Sequence, residues 1–449
     1  ERVMIYMKRM IFEMENFGPW EIDVAPTVYP PREDTELLCR AISRLEGNAS
    51  NAIEIGCGTG VVSMALSALG WSVLSYDVNP YAVACSRANI ERNGFERNVI
   101  VREGGVGEDG WGIPDGTKLI VWNLPYLNPP DPNGPVLEPI EEASLTDLGD
   151  GGWSEELLKS LKVRNNDDLT VVLLFRTDPI SPSSPSVWLM SGWSCRSLEM
   201  KRIGDERLEV FAMWRTGSGS KEKREEICDS AMDGVIHLPD EGWQRLIVGD
   251  QLSGRGRRGS KWESIPGDLL ASWKINREPT EISTPGMLQI GIGAAVSKSL
   301  SCELKWPNDL ISIRGEKIGG IMIEANSSNP GFRIGIGINS SPRVVNGIPC
   351  LGWSDTIGDV SLEEVFSMVD SGVSGILERL EMVPDLDQRS LEISSWKALS
   401  SSLSRGVVAE IENERVRIIG LDNDGFLCIE VDGREVLVSD AQKMEWNYP

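Results

Sequence analysis

The residues with the clearest chemical potential form a short basic loop in the second half of the chain. Its segment GRGRRGSK, residues 254–261, interleaves three glycines with four cations, Arg255, Arg257, Arg258 and Lys261. The chain has a formal net charge of −24, so this loop is a local exception in an acidic protein. Cations in a flexible loop offset the repulsion between two anions that must react, and the loop can close over them. The loop would suit an acyl-adenylate-forming site, but a basic run alone favours a solvated loop or an unrelated phosphate contact.

Further polar side chains stand in a fixed order around this basic loop. The segment DSAMD (229–233) precedes it, and three strings follow it: KWPNDL (305–310), KIGGIMIE (317–324) and GIGIN (335–339). Each of the three places an amide, a carboxylate or a lysine beside a strand, and the glycines allow a ligand to approach the backbone closely. In this order and spacing the strings resemble the biotin protein ligase family over residues 225–449.

The resemblance to the biotin protein ligases implies both substrates and site residues. Biotin would contact Ser230, Met232, Gln251, Gly254, Arg255, Arg257, Trp262, Lys317 and Gly320. ATP would contact Arg257, Arg258, Lys305, Asn308, Asp309 and Asn339. Mg²⁺ would bind together with ATP, since the protein alone does not fix a metal site. The resemblance also implies the catalytic groups. Arg255, Arg257 and Lys317 would offset the charges of the biotin carboxylate and the ATP phosphate as they join. Asp309 would orient the lysine amine of a biotin carboxyl carrier domain. Two departures, Ala231 and Ser260, remove a hydroxyl and an arginine that the family commonly has.

A second candidate site lies in the first half of the chain, at a glycine-rich strand–helix junction. The string EIGCGTG (54–60) has the spacing G-x-G-x-G, which is typical of S-adenosylmethionine sites. Its loop would bring backbone N–H groups close to a ligand. Asp77 ends the next strand, in SYDVNP, where its carboxylate can accept hydrogen bonds from ribose hydroxyls. The tetrapeptide NLPY follows a third strand, and the amide of Asn123 with the ring of Tyr126 suits a planar amide substrate.

At these residues the chain resembles the glutamine methyltransferases that modify the Gly-Gly-Gln motif of translation release factors. VYPPREDTELL (28–38), the glycine loop and NLPY carry this resemblance, which covers roughly residues 20–215. It implies that S-adenosylmethionine is bound by Glu54, Gly56, Gly58, Gly60, Asp77 and Asn123, and that the methyl acceptor is held by Asn123, Pro125 and Tyr126. Asn123 would thus be a catalytic residue.

Two departures from the methyltransferase pattern leave an alternative open. Leu124 replaces a proline of the motif, and the segment 99–110 lacks an obvious aspartate for the adenine amino group, with Glu103 and Asp109 as substitutes. The leading interpretation is a biotin protein ligase fused to a release-factor glutamine methyltransferase. The alternative keeps the ligase and makes the first half an inactive module that binds a partner. A third hypothesis is that the two halves sense the levels of biotin and S-adenosylmethionine.

The elements that must position these residues predict an α/β multidomain protein. Strands alternate with glycine loops and helices up to about residue 216, which predicts a parallel-rich sheet, and the methyltransferase resemblance implies that it is Rossmann-like. Residues 217–224 have linker composition. Residues 225–400 read as an α+β catalytic domain, which the ligase resemblance implies to be class II synthetase-like. Short strands and Asn-Asp-Gly or Asp-Gly turns in residues 401–449 predict a small SH3-like β-barrel.

Composition and charge exclude several classes of partner. A sequence pI of about 4.6 argues against nucleic acid and anionic membranes, since both bind proteins through Lys and Arg. The eight cysteines form no C-x-x-C pair and only one histidine is present, which argues against a zinc site or a disulfide framework. Charges spread through the first twenty residues and the short apolar runs predict a cytoplasmic protein. The start at Glu1 suggests processing or truncation, and a homodimer formed through sheet edges stays open.

Overall fold

The computed structural model of the chain describes residues 7–129, 145–149, 151–162, 167–256, 259, 261–325 and 331–449. The chain folds as two compact units, and each is assembled from separate stretches of sequence. Unit 1 comprises Glu1–Trp188, Trp193–Ser218 and Arg379–Pro384, and unit 2 comprises Leu189–Gly192, Gly219–Glu378 and Asp385–Pro449. No helix among the described residues has both the length and the apolar character needed to cross a membrane.

The first half of the chain alternates strands and helices. In chain order its elements are β1 (Lys8–Met14), β2 (Phe17–Val24), α1 (Glu33–Ser43), β3 (Asn51–Ile55), α2 (Val61–Ala68), β4 (Ser72–Asp77), α3 (Pro80–Arg92), β5 (Val99–Glu103), β6 (Thr117–Asn123), α4 (Gly152–Leu161), β7 (Thr170–Asp178), α5 (Pro185–Met190), β8 (Trp193–Ile203) and β9 (Glu206–Arg215). Strands β1 and β2 form a separate antiparallel hairpin.

The main sheet of unit 1 has seven strands in the order β5-β4-β3-β6-β7-β9-β8. The first five run parallel, and β9 and β8 add an antiparallel edge. Because parallel strands end at one edge, the carboxyl ends of β3, β4 and β6 meet there and leave a crevice. The predicted mixed α/β architecture is confirmed, whereas its Rossmann-like detail stays a prediction.

Unit 2 is built on a larger sheet covered by helices. After β10 (Lys223–Cys228) its elements are α6 (Ala231–Gly234), β11 (Gln244–Gln251), β12 (Leu269–Ile275), α7 (Pro285–Ser299), β13 (Glu303–Lys305), β14 (Asp309–Ile311), β15 (Lys317–Ala325), β16 (Phe332–Ile338), β17 (Arg343–Val345), β18 (Ile348–Cys350), α8 (Leu362–Leu377) and α9 (Gln388–Ser404). The strand order is β10-β11-β12-β16-β15-β14-β13, with β18 beside β15 and β17 beside β18. Buried aliphatic side chains of β12, β15 and β16 pack against α7 and α8 in one core.

The carboxyl-terminal strands form a separate five-stranded sheet. They are β19 (Val408–Ile411), β20 (Glu414–Leu421), β21 (Leu427–Val431), β22 (Arg434–Val438) and β23 (Glu445–Asn447), in the order β22-β21-β20-β19-β23. All their pairings are antiparallel. Helix α9 runs through the predicted boundary at residue 400, and β10 begins within the predicted linker. The SH3-like barrel and the predicted domain limits therefore stay predictions.

Candidate functional site

A cavity of about 290 Å³ opens over the large sheet of unit 2. Its walls come from β12, β15 and β16, from the basic loop, and from the residues after β22. The predicted residues on its wall are Ser230, Met232, Gln251, Arg255, Trp262, Asn308, Asp309, Lys317 and Gly320. The structure thus brings into one cavity side chains that are spread over ninety positions of sequence.

Glycines on β16 make room for two large side chains of this cavity. A Cβ atom at Gly335 would lie 2.6 Å from Sδ of Met232, and one at Gly337 would lie 2.6 Å from Cε2 of Trp262. No methyl group fits at such distances unless the neighbouring side chain moves. The glycines of GIGIN therefore set the shape of the cavity wall, in addition to any contact with a ligand.

Opposite charges meet at one end of the cavity. Lys317 begins β15 and Asp309 begins β14, and Nζ of the lysine lies 2.6 Å from Oδ1 of the aspartate. The same ammonium lies 5.6 Å from the centroid of the Trp262 ring, which is a cation–π distance. Carboxylate and aromatic ring hold the lysine in place, with its charge on the cavity wall.

Two residues of the cavity wall carry buried hydroxyl groups. Ser230 and Ser272 are 2% and 0% exposed, and among the described residues neither Oγ atom has a hydrogen-bond partner. Nearby, Oε1 of Gln251 accepts a hydrogen bond of 2.8 Å from the backbone N–H of Ala231. A buried hydroxyl without a hydrogen-bond partner costs free energy, so this part of the wall suits a polar ligand that supplies the missing partners. Sequence reasoning missed Ser272, because a serine inside the apolar strand LLASWKI carries no separate signal.

Arg255 of the basic loop lies in a network of alternating charges. Its Nη2 is 2.7 Å from Oδ1 of Asp233 and 3.4 Å from Oε2 of Glu324. Arg333 joins the same network through Glu324, at 3.0 Å, and donates to the carbonyl of Met232 at 2.8 Å. The predicted residues Arg257 and Arg258, and the departure Ser260, lie outside the described residues.

Three other predicted ligase residues do not line this cavity. Gly254 lines a second opening beside the loop, and its carbonyl accepts from the N–H of Trp262 at 2.9 Å. Lys305 ends β13, away from the wall. Asn339 is 3% exposed, and its carboxamide donates to the carbonyl of Leu351 at 2.9 Å and accepts from Arg343 at 2.6 Å. For Lys305 and Asn339, a contact with the nucleotide stays a prediction that this placement does not favour.

A second cavity, of about 810 Å³, lies at the carboxyl ends of β3, β4 and β6 in unit 1. The predicted residues on its wall are Glu54, Gly56, Gly58, Asp77, Asn123 and Pro125. Asp77 fixes the glycine loop, since its two carboxylate oxygens accept from the backbone N–H groups of Gly58 at 2.8 Å and Asn79 at 2.9 Å. Gly60 does not line the cavity, and a Cβ there would lie 2.7 Å from Oγ of Ser86; its contact with the cofactor stays a prediction that this placement does not favour.

Glu54 is a buried carboxyl group at the end of β3. It is 4% exposed and accepts a hydrogen bond from the hydroxyl of Ser63. Burial, reinforced by the nearby charge of Asp77, raises the pKa of Glu54 to about 8. Its protonation can therefore change in the neutral to slightly alkaline range.

Asn123 ends β6 with its carboxamide on the cavity wall. Nδ2 donates to Oδ2 of Asp34 at 2.9 Å, and Oδ1 is buried with no hydrogen-bond partner among the described residues. Tyr126, in contrast, packs in the core at 6% exposure and does not line the cavity, so its stacking on a substrate amide stays a prediction that this placement does not favour. Leu124 is fully buried in a hydrophobic cluster of unit 1.

The sequence predicts an acidic residue near a bound adenine, and this contact stays a prediction. Neither Glu103 nor Asp109 lines the cavity, but Glu108 does, together with Gly104, Gly105 and Val106. Glu108 lies beyond the end of β5, in a loop whose course the sequence did not reveal. Among the described residues no group of three or more His, Cys, Asp or Glu is arranged to hold a metal ion.

Comparison with known proteins finds a different similarity in each half of the chain. Residues 240–341 match the biotin/lipoate A/B protein ligase family, and residues 32–119 match the ribosomal protein L11 methyltransferase (PrmA) family. A biotin–[acetyl-CoA-carboxylase] ligase of Mycobacterium tuberculosis is 24% identical over 277 residues, which covers 54% of this chain and 93% of that protein. A putative protein N5-glutamine methyltransferase of Methanocaldococcus jannaschii is 33% identical over 119 residues, 26% of this chain and 55% of that protein.

The match to the methyltransferase relative therefore spans about half of that protein.

Among solved structures, biotin protein ligase from Aquifex aeolicus in complex with biotin and ATP is 22% identical, with a TM-score of 0.41; the match covers 51% of this chain and 100% of that one. The carboxyl-terminal part of the chain is therefore similar to biotin protein ligases, and its amino-terminal part is similar to methyltransferases.

Proposed function

We propose that unit 2 activates biotin with ATP and transfers it to a lysine of a biotin carboxyl carrier domain. The observation that carries this proposal is a single cavity whose wall includes residues with unpaired buried hydroxyls, Ser230 and Ser272, and the Lys317–Asp309 pair. Biotin has a matching polarity, with a ureido ring at one end and a carboxylate at the other. The first would meet Ser230 and Gln251, and the second would meet Lys317 and Arg255.

In the first step a carboxylate oxygen of biotin attacks the α-phosphorus of ATP. The new P–O bond gives biotinyl-5′-AMP, and pyrophosphate leaves. Lys317 and Arg255 would offset the negative charge of the joining groups, and Mg²⁺ would enter with the phosphates, whose oxygens it prefers as ligands. In the second step the lysine amine attacks the biotinyl carbonyl carbon, AMP leaves, and a proton is lost from nitrogen. Asp309 is the carboxylate on the cavity wall suited to orient that amine.

We propose that unit 1 transfers a methyl group from S-adenosylmethionine to the glutamine amide nitrogen of a translation release factor. Its cavity suits this cofactor, because the glycine loop exposes backbone and Asp77 presents its carboxyl group on the wall. The cofactor supplies an electrophilic methyl group; a new N–C bond forms as the S–C bond breaks, and the nitrogen loses a proton. The buried packing of Leu124 weakens the case for an inactive module. The cytoplasmic location and the homodimer stay predictions.

Mass spectrometry of two acceptors tests both activities on the intact chain. We expect one biotinyl group on a carrier domain given biotin, ATP and Mg²⁺, and none on a carrier whose target lysine is replaced by arginine. We expect one methyl group on a release factor given S-adenosylmethionine, and loss of that product in Asn123→Ala. A chain that biotinylates its carrier but leaves the release factor unmodified would favour the binding module over the methyltransferase.

A substitution on β16 tests whether the cavity of unit 2 is the biotin site. In Gly337→Ala the added methyl group displaces the ring of Trp262, since they would lie 2.6 Å apart. Overpacking of this kind typically costs about 1–3 kcal/mol, so we expect biotin affinity to fall about tenfold in calorimetric titration.

The matched control for that substitution is Gly420→Ala on β20, where the nearest atom to a new Cβ is 4.0 Å away. Its biotin affinity should equal that of the unmodified chain. Unchanged affinity in Gly337→Ala, with the protein folded, would mean that biotin binds elsewhere.

A further inference from the structure

The carboxamide of Asn123 has a neighbour that decides which way it faces. Asp34, in the first turn of α1, is 1% exposed, and its Oδ2 lies 2.9 Å from Nδ2 of Asn123. Its other oxygen accepts from the backbone N–H of Thr35 at 2.8 Å and from the hydroxyl of the same residue at 3.4 Å. Both oxygens of Asp34 are thus engaged, and the carboxylate is held in one orientation.

An ionised carboxylate only accepts hydrogen bonds, so the atom of Asn123 that faces Asp34 must be the NH₂ nitrogen. The oxygen of the carboxamide is then turned the opposite way. That oxygen is buried, lacks a partner among the described residues, and belongs to a side chain on the cavity wall. Without such a neighbour, an asparagine could turn either its oxygen or its nitrogen toward a ligand. Next to Asp34, only one of these two orientations keeps the hydrogen bond.

We propose that Asp34 is a positioning residue that fixes the Asn123 carboxamide with its oxygen toward the methyl acceptor. Consequently the acceptor must supply a hydrogen-bond donor, as the NH₂ of a primary carboxamide does. A carboxylate in the same place would face the oxygen of Asn123 with no proton to share and would be rejected. This inference rests on the methyl-transfer function proposed for unit 1 and adds the basis of its selectivity for glutamine over glutamate.

Asp34→Asn tests the proposal with the smallest change of shape. The new amide can donate or accept, so the carboxamide of Asn123 can adopt either orientation. A substrate-positioning group that is misplaced in this way costs about 100-fold in rate. We expect kcat/KM for methylation of a release factor to fall about 100-fold, while the Kd for S-adenosylmethionine stays within about twofold. Binding of a release factor whose Gly-Gly-Gln glutamine is replaced by glutamate should improve relative to the unmodified one.

Glu33→Gln is the matched control, because it removes the same charge from the adjacent residue of α1. Glu33 is exposed and pairs with Lys201 at 2.7 Å, a surface contact of little energetic weight. We expect methylation by this variant to equal that of the unmodified chain. Equal losses in both variants would mean that charge at the start of α1 matters and that the orientation of Asn123 does not.

A measurement on the protein alone separates this inference from the proposed function. In ¹H–¹⁵N spectra of the deuterated full chain, the Asn123 side-chain amide is identified by its disappearance in Asn123→Asp. We expect slow solvent exchange of its hydrogen-bonded proton, and an exchange at least about tenfold faster in Asp34→Asn. An unchanged signal and exchange rate in Asp34→Asn would overturn the inference even if methylation occurs. Absence of methylation with the expected exchange behaviour would count against the function alone.

Discussion

Lys317→Ala is expected to lower the rate of biotinyl-adenylate formation about 1000-fold. Joining a carboxylate to a phosphate concentrates negative charge, and a cation fixed beside it is worth about 10²–10³ in rate. The ammonium of Lys317 is already fixed by Asp309 at 2.6 Å and by the ring of Trp262, so it needs no reorganisation when the substrates meet. The loss should be measured as biotin-dependent exchange of pyrophosphate into ATP, which reports the first step without the carrier domain.

Two variants make the Lys317 result specific. Lys298→Ala removes an exposed lysine from α7 and should exchange pyrophosphate at the unmodified rate. Lys317→Arg keeps the charge but replaces a compact ammonium by a planar guanidinium, so we expect partial activity. Full activity in Lys317→Ala would remove this end of the cavity from the reaction and leave the adenylation site unassigned.

The ligase cavity illustrates what sequence reasoning can reach. Lys317, Asp309 and Trp262 could be placed in one site because each stands in a string with recognisable order and spacing. Ser272 could not be placed there. A serine inside an apolar strand has the same sequence pattern whether it is structural or contacts a ligand. Asn339 shows a different limit: a motif position predicts a side chain's type, but not that a neighbouring backbone carbonyl already accepts a hydrogen bond from its amide, and its contact with the nucleotide stays a prediction.

The methyltransferase cavity adds a limit of another kind. Asp34 and Asn123 are 89 residues apart, and they meet only because α1 begins beside the carboxyl end of β6. Local periodicity predicts each element but not which helix start covers which strand end. Likewise, the composition of segment 99–110 offered Glu103 and Asp109, whereas the course of the loop brings Glu108 to the wall.

Replacement of Glu54 by glutamine is expected to change how the stability of unit 1 depends on pH. The carboxyl of Glu54 has a pKa of about 8 in the folded protein, raised chiefly by burial from 4.5. Folding therefore takes up a proton between these values. The stability associated with that proton is fully present below about pH 4.5 and is lost as the pH rises through 8. Since one pKa unit corresponds to about 1.36 kcal/mol, the rise from 4.5 to about 8 corresponds to a loss of about 5 kcal/mol.

Glu54→Gln should escape this loss, because an amide does not ionise and can still accept the hydrogen bond of Ser63. The variant and the unmodified chain should unfold with similar free energies near pH 4.5, and the variant should be more stable by about 5 kcal/mol above pH 8. Hydrogen exchange of β3 and β4 across this pH range, without S-adenosylmethionine, follows unit 1 selectively. Glu91→Gln changes an exposed carboxylate of the same unit and should leave the pH dependence unaltered. Parallel curves for Glu54→Gln and the unmodified chain would mean that Glu54 is ionised in the folded protein, with a cation or water compensating its charge.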